Sequence, residues 1–493
     1  MNVKEINKLA GQTLVYGLGT IVPRFLNYAV LTPFYTWVFD KAEYGVITEL
    51  YAYMVFMLIV LTYGMETAFF RFAQKQEKSN KVFSTALISI LISSAVFLLA
   101  FNLFVEDVAM ALKYSDRELY LRLFSIILAT DAITAVPFAK LRRENKALKF
   151  SIIKIINVVI TILLVFIFLK IEPALREKGK TLLGDLYNPD FGVGYVFLAN
   201  AIGSISMLIM LIKEIFSVHL KFEIALWKQM IVYSFPLLIS GLGGSINDAL
   251  DKMILRRVVN NENPLEVVGE YGASYKIAVL MALFIQMYRY AMEPFFFARA
   301  EKKDAKEVYA YVMKYFVIYA MILYLLINLY ISGFKFIIAG SHLRGGLAIV
   351  PIVSMGYLMF GIFINLSIWY KVKDMTKYGA YLTLTGAVVT VLFNLVLVPY
   401  YGYMASAWAH VACYGVMIAG SYYLSRKHYR IEYPIAEILK YIIGGLIIVL
   451  GVSMIDYKSI IIELVINSII ILAYVGYAEY RDKIISILFK STN

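Results

Sequence analysis

With 493 residues, 61% of them hydrophobic and only 16% charged, the chain is too apolar and too poor in charge for a water-soluble protein. Its net charge of +13 would suit a nucleic-acid binder, but the basic residues sit in short loops between apolar runs, where membrane topology puts them, so nucleic acid is not an expected partner. The one cysteine, Cys413, lies inside an apolar run, which excludes a disulfide or a thiolate metal site.

Apolar runs recur along the whole chain, each about 20 residues and so long enough to cross a bilayer core as a helix. They are continuous rather than alternating, which points to an all-α polytopic membrane protein and not to a β-barrel. Fourteen spans are predicted, at 12–38, 46–70, 82–105, 119–139, 147–169, 191–213, 231–257, 271–297, 308–332, 346–370, 378–398, 403–424, 436–455 and 460–479. The polar start MNVKEINKLAGQ, with no clear cleavage site after it, makes the first run a retained helix rather than a signal peptide.

An even number of spans puts both termini on one side of the membrane. Loops on that side carry Lys4 and Lys8, then Arg71, Lys75, Lys78 and Lys81, then Lys140, Arg142, Arg143, Lys146 and Lys149, and later Arg299, Lys302, Lys303 and Lys306. Lys and Arg number about 27 there and about 12 on the other side, so the positive-inside rule predicts cytoplasmic termini. The expected location is the bacterial cytoplasmic membrane, with membrane lipids as partners.

The sequence repeats itself. YGMETAFFRFA at Tyr63–Ala73 and YAMEPFFFARA at Tyr290–Ala300 agree at six of eleven positions with an offset of 227. EYG at Glu43 and EYG at Glu270 share that offset. Both copies fall on spans predicted to run in the same direction, so the halves are parallel repeats, an arrangement common in secondary transporters with a central site near mid-membrane. The expected organisation is an N-terminal lobe of six spans (1–216), an interfacial amphipathic linker helix (217–230), a C-terminal lobe of six spans (231–430) and an extra helix pair (431–493).

Several stretches resemble a known family. LVYGLGTIVPRFLNYAVLTPFYTWVFDKAEYGVITEL from Leu14 is similar to the first helix pair of polysaccharide-transporter and oligosaccharide flippases, members of the multidrug/oligosaccharidyl-lipid/polysaccharide exporter superfamily. NDALDKMIL at Asn247–Leu255 resembles the family's span 7. EYGASYKIA from Glu270 and EPFFF from Glu293 resemble its span 8, and TVLFNLVLVPYYGYMASAWAHVACYGVMI its spans 11 and 12. The resemblance runs to about residue 430 and rests on order and spacing rather than on a catalytic signature. It implies two helical lobes around a cavity that opens alternately to each side. It also implies a substrate made of a polyprenyl diphosphate carrier and an oligosaccharide, flipped to the outer leaflet for cell-surface polysaccharide synthesis.

Ionisable residues inside spans are costly and need a partner or a wet cavity. Arg24 lies about 20 Å along span 1 from Gly11, too deep to snorkel easily, and suits a diphosphate or a structural partner such as Asp131. Lys154, Lys276 and Arg289 complete the candidate substrate-binding set. Lys154 could instead snorkel, and Arg289 could pair with Glu293 four residues on. Asp248, Lys252 and Arg256 fall on one face of span 7, as an ion-pair ladder would. The repeat-related Glu66 and Glu293, with Asp131, Asp248 and His410, form the candidate gating or ion-coupling set. Glu66 has Thr62 where Glu293 has Arg289, so a pair within one helix accounts for one copy only. His410 could carry a proton or make a buried hydrogen bond.

No cofactor is expected. The chain lacks GxxxxGK[ST], so ATP is not the expected energy source, and H+ or Na+ is the candidate coupling cation. The alternatives within the superfamily are a peptidoglycan-precursor flippase and a cation-coupled multidrug exporter. A cation exporter would be expected to carry an acid within span 1, where the first acid is Asp40 at its outer end. A membrane enzyme would need a large outer loop or a clustered catalytic set, and the four histidines are scattered.

Overall fold

The computed structural model describes residues 22–73, 79–219, 221–245, 249–373, 375–457 and 459–484. Lys4, Lys8, Lys75, Lys78, Asp248 and the first ten residues expected in span 1 lie outside the described residues. Among those described, every regular element is helical. The helices are α1 (22–38), α2 (Lys41–Thr62), α3 (Met65–Phe72), α4 (Ser79–Leu103), α5 (Val105–Leu112), α6 (Glu118–Arg143), α7 (Ala147–Arg176), α8 (Gly194–Met210) and α9 (Ile224–Ser245). They continue with α10 (Asp251–Val258), α11 (Pro264–Arg299), α12 (Ala305–Leu329), α13 (Ser341–Val372), α14 (Thr376–Tyr401), α15 (Tyr403–His428), α16 (Ile435–Ser453) and α17 (Ile460–Asp482).

Among the described residues, eleven helices are long and apolar enough to cross a membrane, which makes the chain a multi-pass membrane protein. Three expected spans fall outside that group. Span 1 is described only from residue 22, span 6 is the 17-residue α8, and span 12 is α15, 26 residues long but with Ser406, His410 and Ser421 on its buried side.

Span 7 is described on both sides of residues 246–248, as α9 and α10. One expectation differs in detail: the linker helix does not stand alone, because Ile224–Met230 forms the first turns of α9. Side chains fix that entry: Trp227 Nε1 donates to Ser89 Oγ at 2.7 Å, Ser84 Oγ donates to the Lys221 carbonyl at 2.9 Å, and Lys81 pairs with Glu223 at 3.0 Å.

The chain divides into two compact units. One holds the residues up to Phe39 and Val46–Ala249; the other holds Asp40–Gly45 and the chain from Leu250 onward. In the first unit α6 packs against α4 and α8, and α8 against α7, around Phe138, Leu141, Phe150, Ile153, Met207 and Leu211. In the second, α13 packs against α11, α12 and α15, and α14 against α15, around Trp369, Leu382, Tyr414 and Met417.

The two copies of the sequence repeat fold differently at one point. In the first, Tyr63 and Gly64 take positive φ of 33° and 70°, which ends α2 and restarts the chain as α3. Glycine tolerates that conformation, and a Cβ there would also stand 3.0 Å from the Ser234 carbonyl. The second copy has Ala291 in place of Gly64, and α11 runs unbroken through it.

Glycine is also needed within the second unit, where Lys41–Gly45 crosses the start of α11. A Cβ on Gly45 would lie 2.0 Å from the Leu265 carbonyl, and one on Gly269 would lie 2.0 Å from the Lys41 carbonyl. Lys41 pairs with Glu270 beside this crossing.

The C-terminal pair docks on α12 through polar groups. Lys314 pairs with both Glu437 and Asp482, Tyr441 donates to Asp482, and Asn467 Nδ2 donates to the Leu329 carbonyl at 2.6 Å. The opposite faces of α16 and α17 expose Ile443, Ile447, Leu450, Val465, Ile469 and Leu472, a surface suited to lipid.

Candidate functional site: ionisable groups within the helices

The first unit brings together three of the candidate residues. Asp131 of α6 is half-buried, hydrogen-bonds Ser204 of α8 and faces Lys154 of α7. Lys154 in turn faces Arg24 of α1, and its Nζ stands 4.3 Å from the centroid of the Phe138 ring. Arg24 is exposed on α1, three residues before the π-helical turn Asn27–Leu31. The expected partner of Arg24, Asp131, thus has Lys154 before it. Lys154 thus has one cation, Arg24, and one acid, Asp131, within electrostatic reach on neighbouring helices, a grouping of charge suited to an anionic ligand. Asp131 Oδ1 is buried with no hydrogen-bond partner. Tyr51 lies beside Asp131, and its hydroxyl accepts from Asn200 Nδ2 at 2.7 Å.

In the second unit Lys276 is exposed although its neighbours Tyr275 and Ile277 are buried, and it lies within electrostatic reach of Lys252. Arg289 is half exposed, and its Nε is 3.5 Å from Glu293 Oε1. Glu293 has a second and closer cation, Lys371 Nζ at 2.6 Å from Oε1. The i,i+4 pair anticipated from sequence is present but is the weaker of the two.

Glu66 also has a cation. It pairs with Arg142 at the C-terminal end of α6, whose guanidinium lies 5.2 Å from the Phe70 ring centroid. Each repeat glutamate therefore meets a base from the last turns of another helix, Arg142 in one copy and Lys371 in the other. The glutamate near the start of α3 and the arginine near the end of α6 both oppose their helix dipoles favourably. In the loops beside these ends, a hydrogen bond from Arg299 holds the Asp304 carboxyl below the usual carboxylate range. A hydrogen bond to Glu144, 2.7 Å away, raises the Lys146 ammonium above its ordinary value.

The most enclosed charges were only partly foreseen. Asp251 opens α10 and is fully buried. Its Oδ1 accepts from the Lys252 ammonium at 3.0 Å and from the Lys252 backbone N–H at 2.8 Å. Its Oδ2 accepts from the Tyr271 hydroxyl at 2.5 Å and stands 3.3 Å from His410 Nε2. The Lys252 ammonium also sits 3.7 Å from the centroid of the Tyr275 ring, and Tyr275 hydrogen-bonds Tyr357 at 2.6 Å. The ladder expected on span 7 thus has Asp251 as an acidic partner of Lys252, while Asp248 lies outside the described residues. Sequence reasoning missed Asp251. The signal available was an adjacent acid–base pair within an otherwise apolar stretch.

The family model described as polysaccharide biosynthesis protein matches residues 9–300. No curated protein sequence matches the chain. Among solved structures, the chain is similar to the lipid II flippase MurJ in an inward closed conformation, with 15% identity and a TM-score of 0.73 over 95% of this chain and 99% of that one. It is also similar to an inward-facing multidrug resistance MATE family transporter of the MOP superfamily, with 14% identity and a TM-score of 0.60 over 90% and 100% of the two chains. The MATE multidrug transporter DinF-BH matches at 16% identity and a TM-score of 0.61 over 85% and 95%. At these identities the likeness is one of fold, and the fold is that of MOP-superfamily transporters.

Proposed function

The chain belongs to the polysaccharide biosynthesis protein family, and on that footing we propose that it is a secondary transporter that flips a polyprenyl-diphosphate-linked oligosaccharide from the cytoplasmic to the outer leaflet by alternating access. The observation that carries this reading is the net positive group of Arg24, Lys154 and Asp131. Arg24 presents a planar guanidinium that can hold two diphosphate oxygens at once, and Lys154 adds a second charge. Lys276 and Arg289 are the corresponding cations of the C-terminal lobe. In this reading the sugar head crosses through the protein, and the polyprenyl tail stays in the bilayer.

Both termini lie in the cytoplasm, on the side of the basic loops, and the protein resides in the bacterial inner membrane. Glu66 and Glu293 brace the cytoplasmic ends of their helices and form part of the inner gate. An anionic lipid moving outward gains from an inside-negative potential, about 2.3 kcal/mol per charge per 100 mV. The energy source is a cation gradient, H+ or Na+, together with that potential.

A second reading, a peptidoglycan-precursor flippase, draws support from the TM-score of 0.73 to a lipid II flippase. Its substrate would present the same diphosphate to the same cations.

The test reconstitutes the purified protein in liposomes with a labelled short-chain polyprenyl-diphosphate oligosaccharide, and in parallel with a labelled peptidoglycan precursor or a cationic dye. Translocation of the oligosaccharide that falls roughly 10–100-fold in Arg24→Ala supports the proposal. Movement of the precursor alone moves the assignment to the second reading. Efflux of the dye alone makes the protein a drug exporter.

A further inference from the structure

His410 and Asp251 leave one chemical function unassigned. Asp251 Oδ2 faces His410 Nε2 at 3.3 Å, and an ionised carboxylate can only accept, so Nε2 carries the hydrogen. The other ring nitrogen, Nδ1, is buried without a hydrogen-bond partner. It is therefore a lone pair inside a fully enclosed side chain, the place where a proton would bind. The packing holds the ring there: a Cβ on Gly356 of α13 would come within 2.8 Å of His410 Cβ.

The groups around the imidazole are set out by helix. α10 contributes Asp251 and Lys252, α11 contributes Tyr271 and Tyr275, and α13 contributes Tyr357, whose ring lies 6.2 Å from that of His410. Tyr275 stands 5.6 Å away, centroid to centroid. From α14, Asn394 accepts from Ser406 at 2.7 Å and is neutral, and the one charged residue of that helix, Lys377, lies at its opposite end. Farther along α11, Lys276 is within reach of Lys252. One carboxylate thus serves two bases, Lys252 and His410.

We propose that His410 is a proton-carrying site, with Asp251 as a counter-ion that it shares with Lys252. Nδ1 takes a proton that reaches it when the transport cycle opens the cluster to water, the imidazole becomes an imidazolium, and Asp251 turns toward it. The Lys252 ammonium loses part of its ion pair and rests on the Tyr275 ring, where it already sits. Release of the proton reverses the exchange. Resting on the transporter reading above, this makes H+ the coupling ion, and the exchange at Asp251 the step that senses it.

The first test needs no substrate. The full-length protein is labelled with 15N-histidine in lipid nanodiscs and titrated by NMR, the His410 signal being the one lost in His410→Gln. The signal is expected to change reversibly from the pattern of a neutral ring to that of an imidazolium on acidification. Lys252→Met, which leaves Asp251 to His410 alone, and Asp251→Asn, which removes the acid, should each alter that response. A ring that keeps the neutral pattern throughout overturns the proposal. So does a response unchanged by Lys252→Met, a variant that keeps the test open if Asp251→Asn does not fold.

The second test imposes a pH difference on the proteoliposomes described above. It should speed translocation several-fold in wild type and not in His410→Gln. Equal acceleration in both overturns the coupling. Absence of translocation in wild type counts against the substrate reading, and the NMR titration then decides the proton site on its own.

Discussion

Glu66 of α3 is joined to Arg142 of α6, and 227 residues after Glu66 its counterpart Glu293 is joined to Lys371 of α13. Arg142 and Lys371 are 229 residues apart, two more than the repeat offset, so the base lies close to its place in the repeat but not at it. Both pairs are partly exposed, with Glu66 at 38% and Glu293 at 32%. Solvent screening at that exposure limits each to about 1 kcal/mol or less. Glu66→Gln should therefore lower thermal stability only slightly in detergent. Glu66→Arg should cost more, since it faces Arg142 with a like charge, and Glu66→Arg with Arg142→Glu should recover most of the loss. A double variant no better than the single would show that the pair is incidental.

The Asp251 cluster should behave differently, because it is closed to water. Asp251→Ala leaves the Lys252 ammonium without its carboxylate and should destabilise by about 3–5 kcal/mol. Removing both charges, as Asp251→Asn with Lys252→Met, should cost less than Asp251→Ala alone. The comparison is read from denaturation midpoints of the purified variants.

The two copies of the repeat invite a reciprocal experiment. Gly64→Ala places a Cβ at φ 70° and 3.0 Å from the Ser234 carbonyl, which should cost about 1–2 kcal/mol. Ala291→Gly, in the unbroken α11, should cost only the propensity difference of about 1 kcal/mol or less. If Gly64→Ala proves neutral, the break after α2 is not held by glycine.

Asp131→Asn should tighten diphosphate binding. It removes the one acid facing Lys154 while leaving a side chain that can still bond Ser204. Equilibrium binding of a short polyprenyl diphosphate should strengthen several-fold, and Lys154→Met should weaken it. Weaker binding in Asp131→Asn would mean that the acid positions the lysine for the ligand rather than competing with it.

Most of the helical layout was legible in the sequence, because lipid imposes a length and an apolarity that each segment must meet by itself. The break at Gly64 left a trace there too, for a glycine stands where the second copy has alanine. Partner choice was not legible. Glu66 meets Arg142, 76 residues away, and nothing local signals which helix end packs beside α3. For Asp251 the obstacle was helical spacing, which singled out Asp248, Lys252 and Arg256 as one face and passed over the acid next to Lys252 that bonds it. Arg24 and Lys154 were recognisable as deep cations, whereas the pairing of Asp131 with Lys154 rather than with Arg24 depends on how α6 and α7 pack.

Lys314 gives the C-terminal helix pair a consequence in time. It stands nine residues into α12, roughly 14 Å along the helix, and its two partners are Glu437 and Asp482. Asp482 leaves the ribosome about 170 residues after Lys314, an interval of roughly 10–30 s at ordinary synthesis rates. For roughly the first three quarters of that interval, until Glu437 is made, α12 holds an ammonium with neither carboxylate. A nascent chain stalled before residue 437 would therefore hold α12 with its charge unpaired by either carboxylate and stretched toward the nearest membrane surface, and a gene truncated at that point would yield this form permanently.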